Sequence, residues 1–200
     1  EITLRMSDAV IINKIDTANP EDVEKIRTIL AENLPKAIVI DAASPVRVDD
    51  ADIIRNKKVL VVEDGPTLTH GGMLIGAGTV AARKYGAAEI VDPRPHLVGQ
   101  LKDTFEKYPN IGTLLPAMGY GDEQLKDLEA TINNCECDAV VIGTPIDLNR
   151  VIKIDKPSVR VYYDLQSIGT PRLEDVINKF VDDEIHNKGV PDRPSLVARL

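Results

Sequence analysis

Short apolar runs alternate with stretches of helical periodicity along most of the chain. Residues 8–13 (DAVIIN) are rich in Val and Ile, the pattern of a buried parallel strand. The following segment predicts a helix over residues 20–33. Asn19 is placed to cap it, Pro20 takes the first helical position, and Glu21 and Asp22 complement the helix dipole. A second strand is expected at 36–41, and a loop or linker at 42–56, where Pro45 and several aspartates break the pattern. A second unit starts at residue 57. It reads as strand 58–62, a glycine-rich loop, helix 77–85, strand 89–91, helix 98–108, strand 113–117, helix 122–133 and strand 138–142. A last strand at 158–164, a closing helix at 172–183 and a tail complete it.

This alternation predicts an α/β fold with a doubly wound, mostly parallel, Rossmann-like sheet. Ligands are then expected at the carboxyl ends of its strands. The expected division is residues 1–56, the end of a P-loop-type nucleotide-binding domain, and residues 57–200, a Rossmann-like substrate or catalytic domain.

Composition narrows the function. No apolar run reaches the ~18 residues of a membrane span. The net charge of −8 repels nucleic-acid backbones, and with 4% aromatic residues and no Trp there are few stacking platforms. Nucleic acid and membrane are therefore not expected partners, whereas small phosphorylated ligands remain compatible. The two cysteines, Cys135 and Cys137, are too close for an ordinary staple and too few for a zinc set. They read as structural thiols and suggest a cytoplasmic location. The chain opens on EITLRMSDAV, which reads as the continuation of a larger protein.

The first chemical motif is NKID, residues 13–16, at the end of a strand. Guanine presents two donors side by side, and the Asp16 carboxylate offers the acceptor pair that matches them. The motif resembles the NKxD sequence that GTP-binding proteins carry at such a strand end, and the resemblance implies that the Lys14 stem lies along the base and that Asn13 ties neighbouring loops together. The next strand ends in DAAS, where Ala43 and Ser44 belong to a small-residue loop suited to touch a base. A plain turn after a strand would also favour Asn and Asp. No GxxxxGK[ST] occurs, so the phosphate-binding half of a nucleotide site is expected upstream. The chain alone should bind nucleotide poorly and lack activity.

The second motif is VVEDGPTLTHGGMLIGAG, residues 61–78. Glu63 and Asp64 are candidates for Mg²⁺ or for orienting a reacting group. Thr67, Thr69 and His70 add donors, and Gly71 and Gly72 would let backbone N–H groups approach an anion. A structural strand-to-helix turn would use the same glycines. In VDPRPHLVG, two prolines aim Arg94 and His96 outward. LLPAMGYGDEQ is another strand-to-helix junction, with Tyr120 between two glycines. VIGTPIDLNR supplies Thr144, Asp147 and Arg150. The strand ends are expected to bring Glu63, Asp64, Thr69, His70, Arg94, Asp147 and Arg150 to one crevice.

VVEDGPTLTHGGM, VDPRP, LPAMGYG, EQLKDLEATIN and VVIGTPIDL, together with NKIDTANPEDVEKIR and AASPVRVDD, resemble the cyclic 2,3-diphosphoglycerate synthetase family and its close relatives described as predicted GTPases. The resemblance runs over nearly all of the chain and matches the C-terminal part of that family's longer proteins. It implies an ATP-driven closure of 2,3-diphosphoglycerate to a cyclic pyrophosphate, with Mg²⁺ and ATP or GTP as cofactors. It also implies the family's upstream P-loop region as a partner in the same protein, and a homodimer. On that basis Glu63, Asp64, His70 and Arg94 are the catalytic candidates, with Glu63 and Asp64 serving Mg²⁺. Thr67, Thr69, Gly71, Gly72, Thr144, Asp147 and Arg150 would hold substrate phosphate. NKID favours guanine where the family reaction uses ATP. A GTPase with a phosphometabolite-binding domain therefore stands as the alternative.

Overall fold

The structure, a computed structural model, describes residues 2–69 and 75–188, the side chains of Thr67, Thr69 and residues 185–188 excepted. His70, Gly71 and Gly72 lie outside the described residues. The fold is mixed α/β with mostly parallel strands, as the alternation predicts. It divides into two compact units, residues 1–45 with 164–200, and residues 46–163.

In the first unit a short helix α1 (Ile2–Arg5) precedes β1 (Ala9–Ile12), α2 (Pro20–Asn33) and β2 (Ile38–Ala43). The Asn19 side chain accepts from Glu21 N at 3.0 Å and so satisfies a donor that the helix leaves open. Val23 and Leu30 of α2 pack with Ile12 of β1 in a small core. Among the described residues this unit also exposes Ile2, Met6, Ile29 and Phe180.

The second unit begins with β3 (Val46–Val48) and β4 (Lys58–Asp64). The helices α3 (Gly65–Thr69) and α4 (Ala77–Lys84), then β5 (Glu89–Ile90), follow. Next come α5 (Gln100–Lys107), β6 (Leu115–Ala117), α6 (Asp122–Asn134), β7 (Ala139–Gly143) and β8 (Ser158–Tyr163). The strand order is β3-β8-β7-β4-β5, with β6 also on β4, and only the β3–β8 pair is antiparallel. Val59 to Val62 are wholly buried. Their side chains point alternately to opposite faces, so both faces of β4 are covered, which is why this strand lacks polar alternation.

The chain then returns to the first unit through β9 (Gln166–Ile168), antiparallel to β2, and α7 (Leu173–Lys188). The division therefore differs from the expected one at two points. Residues 46–56, read as linker, supply β3 and the wholly buried Ile54 to the second unit. Residues 164–200, read as part of the second unit, group with the first because β9 hydrogen-bonds to β2.

Candidate functional site

In the first unit, NKID leaves the end of β1 beside the end of β2. The Asn13 side-chain oxygen accepts from the Ser44 hydroxyl at 2.9 Å and from Lys14 N at 2.7 Å. Asp16 accepts from Ser44 N at 3.3 Å, and Ile15 N donates to Ala42 O at 3.1 Å. Asn13 thus ties the two strand ends together. Lys14 holds φ 63°, in the left-handed region that costs a side-chain-bearing residue about 1–2 kcal/mol. Local strain of this kind concentrates at binding sites. Ala43 is buried at the end of β2, and Asn13, Lys14 and Asp16 are exposed.

In the second unit, the last turn of β4 meets β6, β7 and the start of α4. Glu63 pairs in register with Gly143 and Asp64 with Ala117. Glu63 is only 2% exposed. Its Oε1 accepts from Gly76 N (3.1 Å), Thr79 N (2.7 Å) and the Thr79 hydroxyl (2.9 Å), and its Oε2 accepts from Gly78 N (3.2 Å). Burial pushes its carboxyl above the usual carboxylate range, and these donors partly oppose that rise. A Cβ on Gly143 would stand 2.5 Å from Oε2 and 2.6 Å from Gly78 N, and one on Gly76 would overlap the carboxylate. Gly76, Gly78 and the start of α4 cradle the chain's own Glu63 carboxylate, whereas Gly71 and Gly72, the expected cradle, lie outside the described residues. As placed, Glu63 caps α4, and both of its oxygens are engaged.

Asp64, half-buried, continues from Glu63 at the strand end. Thr144 is buried, and its hydroxyl donates to Ile146 O at 2.6 Å. Tyr120, three residues beyond β6, faces the same place. Burial first, and then the Asp64 charge, raise its phenol above the ordinary tyrosine value, and a hydrogen bond with the Thr144 side chain opposes them. Tyr120 was noted in the sequence only as a residue between two glycines. Its rarity in a chain with 4% aromatic residues was the signal that could have singled it out.

The structure does not draw every expected residue into this group. β5 pairs only with Lys58 and Val59, so the segment carrying Arg94 leaves the sheet well before the level of Asp64. The Arg94 guanidinium meets Asp92 at 2.9 and 3.0 Å, donates to Ile111 O and lies 5.0 Å from the centre of the Phe105 ring. Asp147 caps a short 3₁₀ turn by accepting from Asn149 N at 3.2 Å, and Arg150 is exposed on that turn. The backbone of Thr67 and Thr69 lies in α3. Among the described residues, no three His, Cys, Asp or Glu side chains gather as a metal cage. No helix among them is long and apolar enough to cross a membrane.

No family model matches the chain. It is similar to a protein of Thermococcus kodakarensis named arginine synthetase ArcE, with 54% identity over 180 residues. That match takes in 90% of this chain and 40% of the relative, so the chain spans less than half of the relative's length. The expectation of a synthetase among the chain's relatives thus has a counterpart, although the name of that relative refers to arginine rather than to a cyclic diphosphoglycerate.

Proposed function

We propose that the chain is part of a nucleotide-dependent synthetase. The observation that carries this reading is the 54% identity, over 90% of the chain, to a protein named as a synthetase. The strand-end geometry supports it. Asn13, Asp16 and Ser44 form a base-binding corner in the first unit, and Asp64, Tyr120 and Thr144 form a substrate corner in the second. The triphosphate is assigned to an upstream P-loop region. The apolar side chains exposed on the first unit support the packing of such a further segment there. Mg²⁺ takes few protein carboxylates and usually keeps waters and phosphate oxygens, a pattern that a single strand-end carboxylate such as Asp64 fits.

Arginine is the product favoured by the relative's name. A guanidinium can be made from a ureido group when a nucleotide phosphorylates the ureido oxygen and ammonia displaces it as phosphate. Ureido acid, ammonia and nucleoside triphosphate then give arginine, nucleoside diphosphate and phosphate. The motifs VVEDGPTLTHGGM and LPAMGYG favour a second reading, closure of 2,3-diphosphoglycerate to a cyclic pyrophosphate. The test is to supply the full-length protein with MgATP or MgGTP and either L-citrulline with ¹⁵N-ammonia or 2,3-diphosphoglycerate. Labelled arginine supports the first product and a cyclic pyrophosphate the second. Nucleotide hydrolysis indifferent to both acceptors would replace the synthetase with a GTPase.

A further inference from the structure

We infer that the cleft between α5 and α6, beside β6, binds a free basic α-amino acid. The cationic end group of the ligand lies against Asp127 and Asp103, its aliphatic stem over the apolar floor, and its carboxylate against Lys107. The cleft belongs to the second unit alone, and the inference does not depend on the strand-end corners proposed above.

The cleft holds about 380 Å³, within the ~300–1,000 Å³ range of small-molecule sites. Its floor is apolar: Leu101 of α5, Leu128 of α6 and Pro116 of β6 are all buried. Two hydrogen bonds pin the start of α5 to α6. Gln100 N donates to Asp127 Oδ2 at 2.9 Å, and Val98 N donates to the Thr131 hydroxyl at 3.1 Å. Gly99, at φ 54°, permits that approach, since a Cβ there would overlap the Asp127 carboxylate. A Cβ on Gly119 would likewise overlap Gln124, whose side-chain oxygen accepts from Gly121 N at 3.3 Å. That bond uses the oxygen of Gln124 and leaves its amide N–H₂ as a donor on the cleft wall.

The charges select the ligand. The charged residues lining the cleft are Asp103, Asp127 and Lys107, a net charge of −1. They are ordered along α5. Asp127 stands level with Gln100, and Asp103 follows within the next turn. Lys107 lies about 10 Å along the helix from Gln100, at ~1.5 Å of rise per residue. A ligand that spans them needs a cation at one end, an anion at the other and an apolar stem between. A bare anion would meet two carboxylates, and a diamine would bring a second cation to Lys107. A basic α-amino acid satisfies both ends, and its net positive charge offsets that of the site.

The experiment is calorimetric titration of the full-length protein with L-arginine and with agmatine, which keeps the guanidinium and lacks the carboxylate. Three variants are compared with wild type: Asp103→Asn, Lys107→Gln and, as a control on α5 outside the cleft lining, Glu106→Gln. All three side chains are exposed, so the thermal midpoints should stay near that of wild type. L-arginine binding should weaken roughly three- to tenfold with Asp103→Asn and with Lys107→Gln, and hold with Glu106→Gln. Agmatine binding should weaken with Asp103→Asn and hold or tighten with Lys107→Gln. Absence of L-arginine binding overturns the inference. So does binding that Asp103→Asn and Lys107→Gln both leave unchanged, which places the ligand elsewhere. Equal weakening of both ligands by Lys107→Gln removes the carboxylate contact and overturns it too. No turnover is read, so these outcomes are separate from those of the synthetase test.

Discussion

Glu63 takes both the backbone N–H and the hydroxyl of Thr79 on a single carboxylate oxygen, at 2.7 and 2.9 Å. This joins the end of β4 to the first turn of α4. Gly78 N uses the other oxygen. Glu63→Gln would turn an amide N–H₂ toward one of these donors. The expected cost is about 1–3 kcal/mol of stability near neutral pH, measured by urea denaturation. Gly143→Ala should cost a similar ~1–3 kcal/mol, because its Cβ would overpack Oε2.

The same residue gives a pH dependence. Burial raises the Glu63 carboxyl above its unfolded value, so across that window the folded chain holds more protons than the unfolded one. The part of the stability linked to protonation of Glu63 is complete below the unfolded value of 4.5 and is lost as pH rises through the folded value, while the hydrogen bonds to its carboxylate remain. The stability gap between wild type and Glu63→Gln should therefore narrow as pH rises from 4.5, measured by denaturation at successive pH values. A gap that widens over that range would show that the hydrogen bonds outweigh burial.

At the base corner, Lys14 is held in a left-handed backbone conformation. Lys14→Gly should raise stability by about 0.5–1 kcal/mol while weakening nucleotide binding in the full-length protein. Asp16→Asn should reduce the preference for GTP over ATP, measured by competition binding. Unchanged selectivity would remove base recognition from NKID. Asn13→Ala should lower the stability of the β1–β2 corner by about 1 kcal/mol through loss of the Ser44 tie.

Arg94 behaves in the structure as a brace between Asp92, Ile111 and Phe105. Arg94→Ala should destabilise the chain by about 1–2 kcal/mol. Arg94→Lys should restore little of this, since a point charge cannot reproduce the planar contacts. Near-normal stability together with a large rise in KM would instead favour the substrate-clamp role expected from the sequence.

The Cys135 thiol is buried, and its pKa is pushed up to about 11, mainly by desolvation. Burial raises Cys137 as well. Neither thiol should react rapidly with a disulfide reagent at pH 8 in the folded chain, and both should react after unfolding. Fast native labelling of Cys135 would contradict the burial.

The parts of the fold legible in the sequence were those coded by local periodicity and caps. The helix Pro20–Asn33 falls where Asn19 and Pro20 place it, and β7 follows from an unbroken apolar run. The three-residue strands Val46–Val48 and Gln166–Ile168 were missed because so few residues show no period. The second exists only through its pairing with Asp41 to Ala43, more than a hundred residues earlier. The glycine-rich loop was read as an anion cradle. Nothing local indicated that part of it closes on Glu63, whose donors lie 13 to 16 residues further along. Conversely, Asn13 reads in the sequence as a tie between neighbouring loops, and its side-chain oxygen accepts from the Ser44 hydroxyl at the end of the adjacent strand, a partner that the sequence did not name.

The most direct test of the synthetase proposal is whether nucleotide consumption depends on an acceptor. The full-length protein is given MgATP or MgGTP, and its phosphorus spectrum is followed with and without citrulline plus ammonia, and with and without 2,3-diphosphoglycerate. The account predicts negligible hydrolysis alone and rapid release of nucleoside diphosphate when one acceptor is added, matched by an equal amount of product. Hydrolysis at the same rate with and without either acceptor would contradict it.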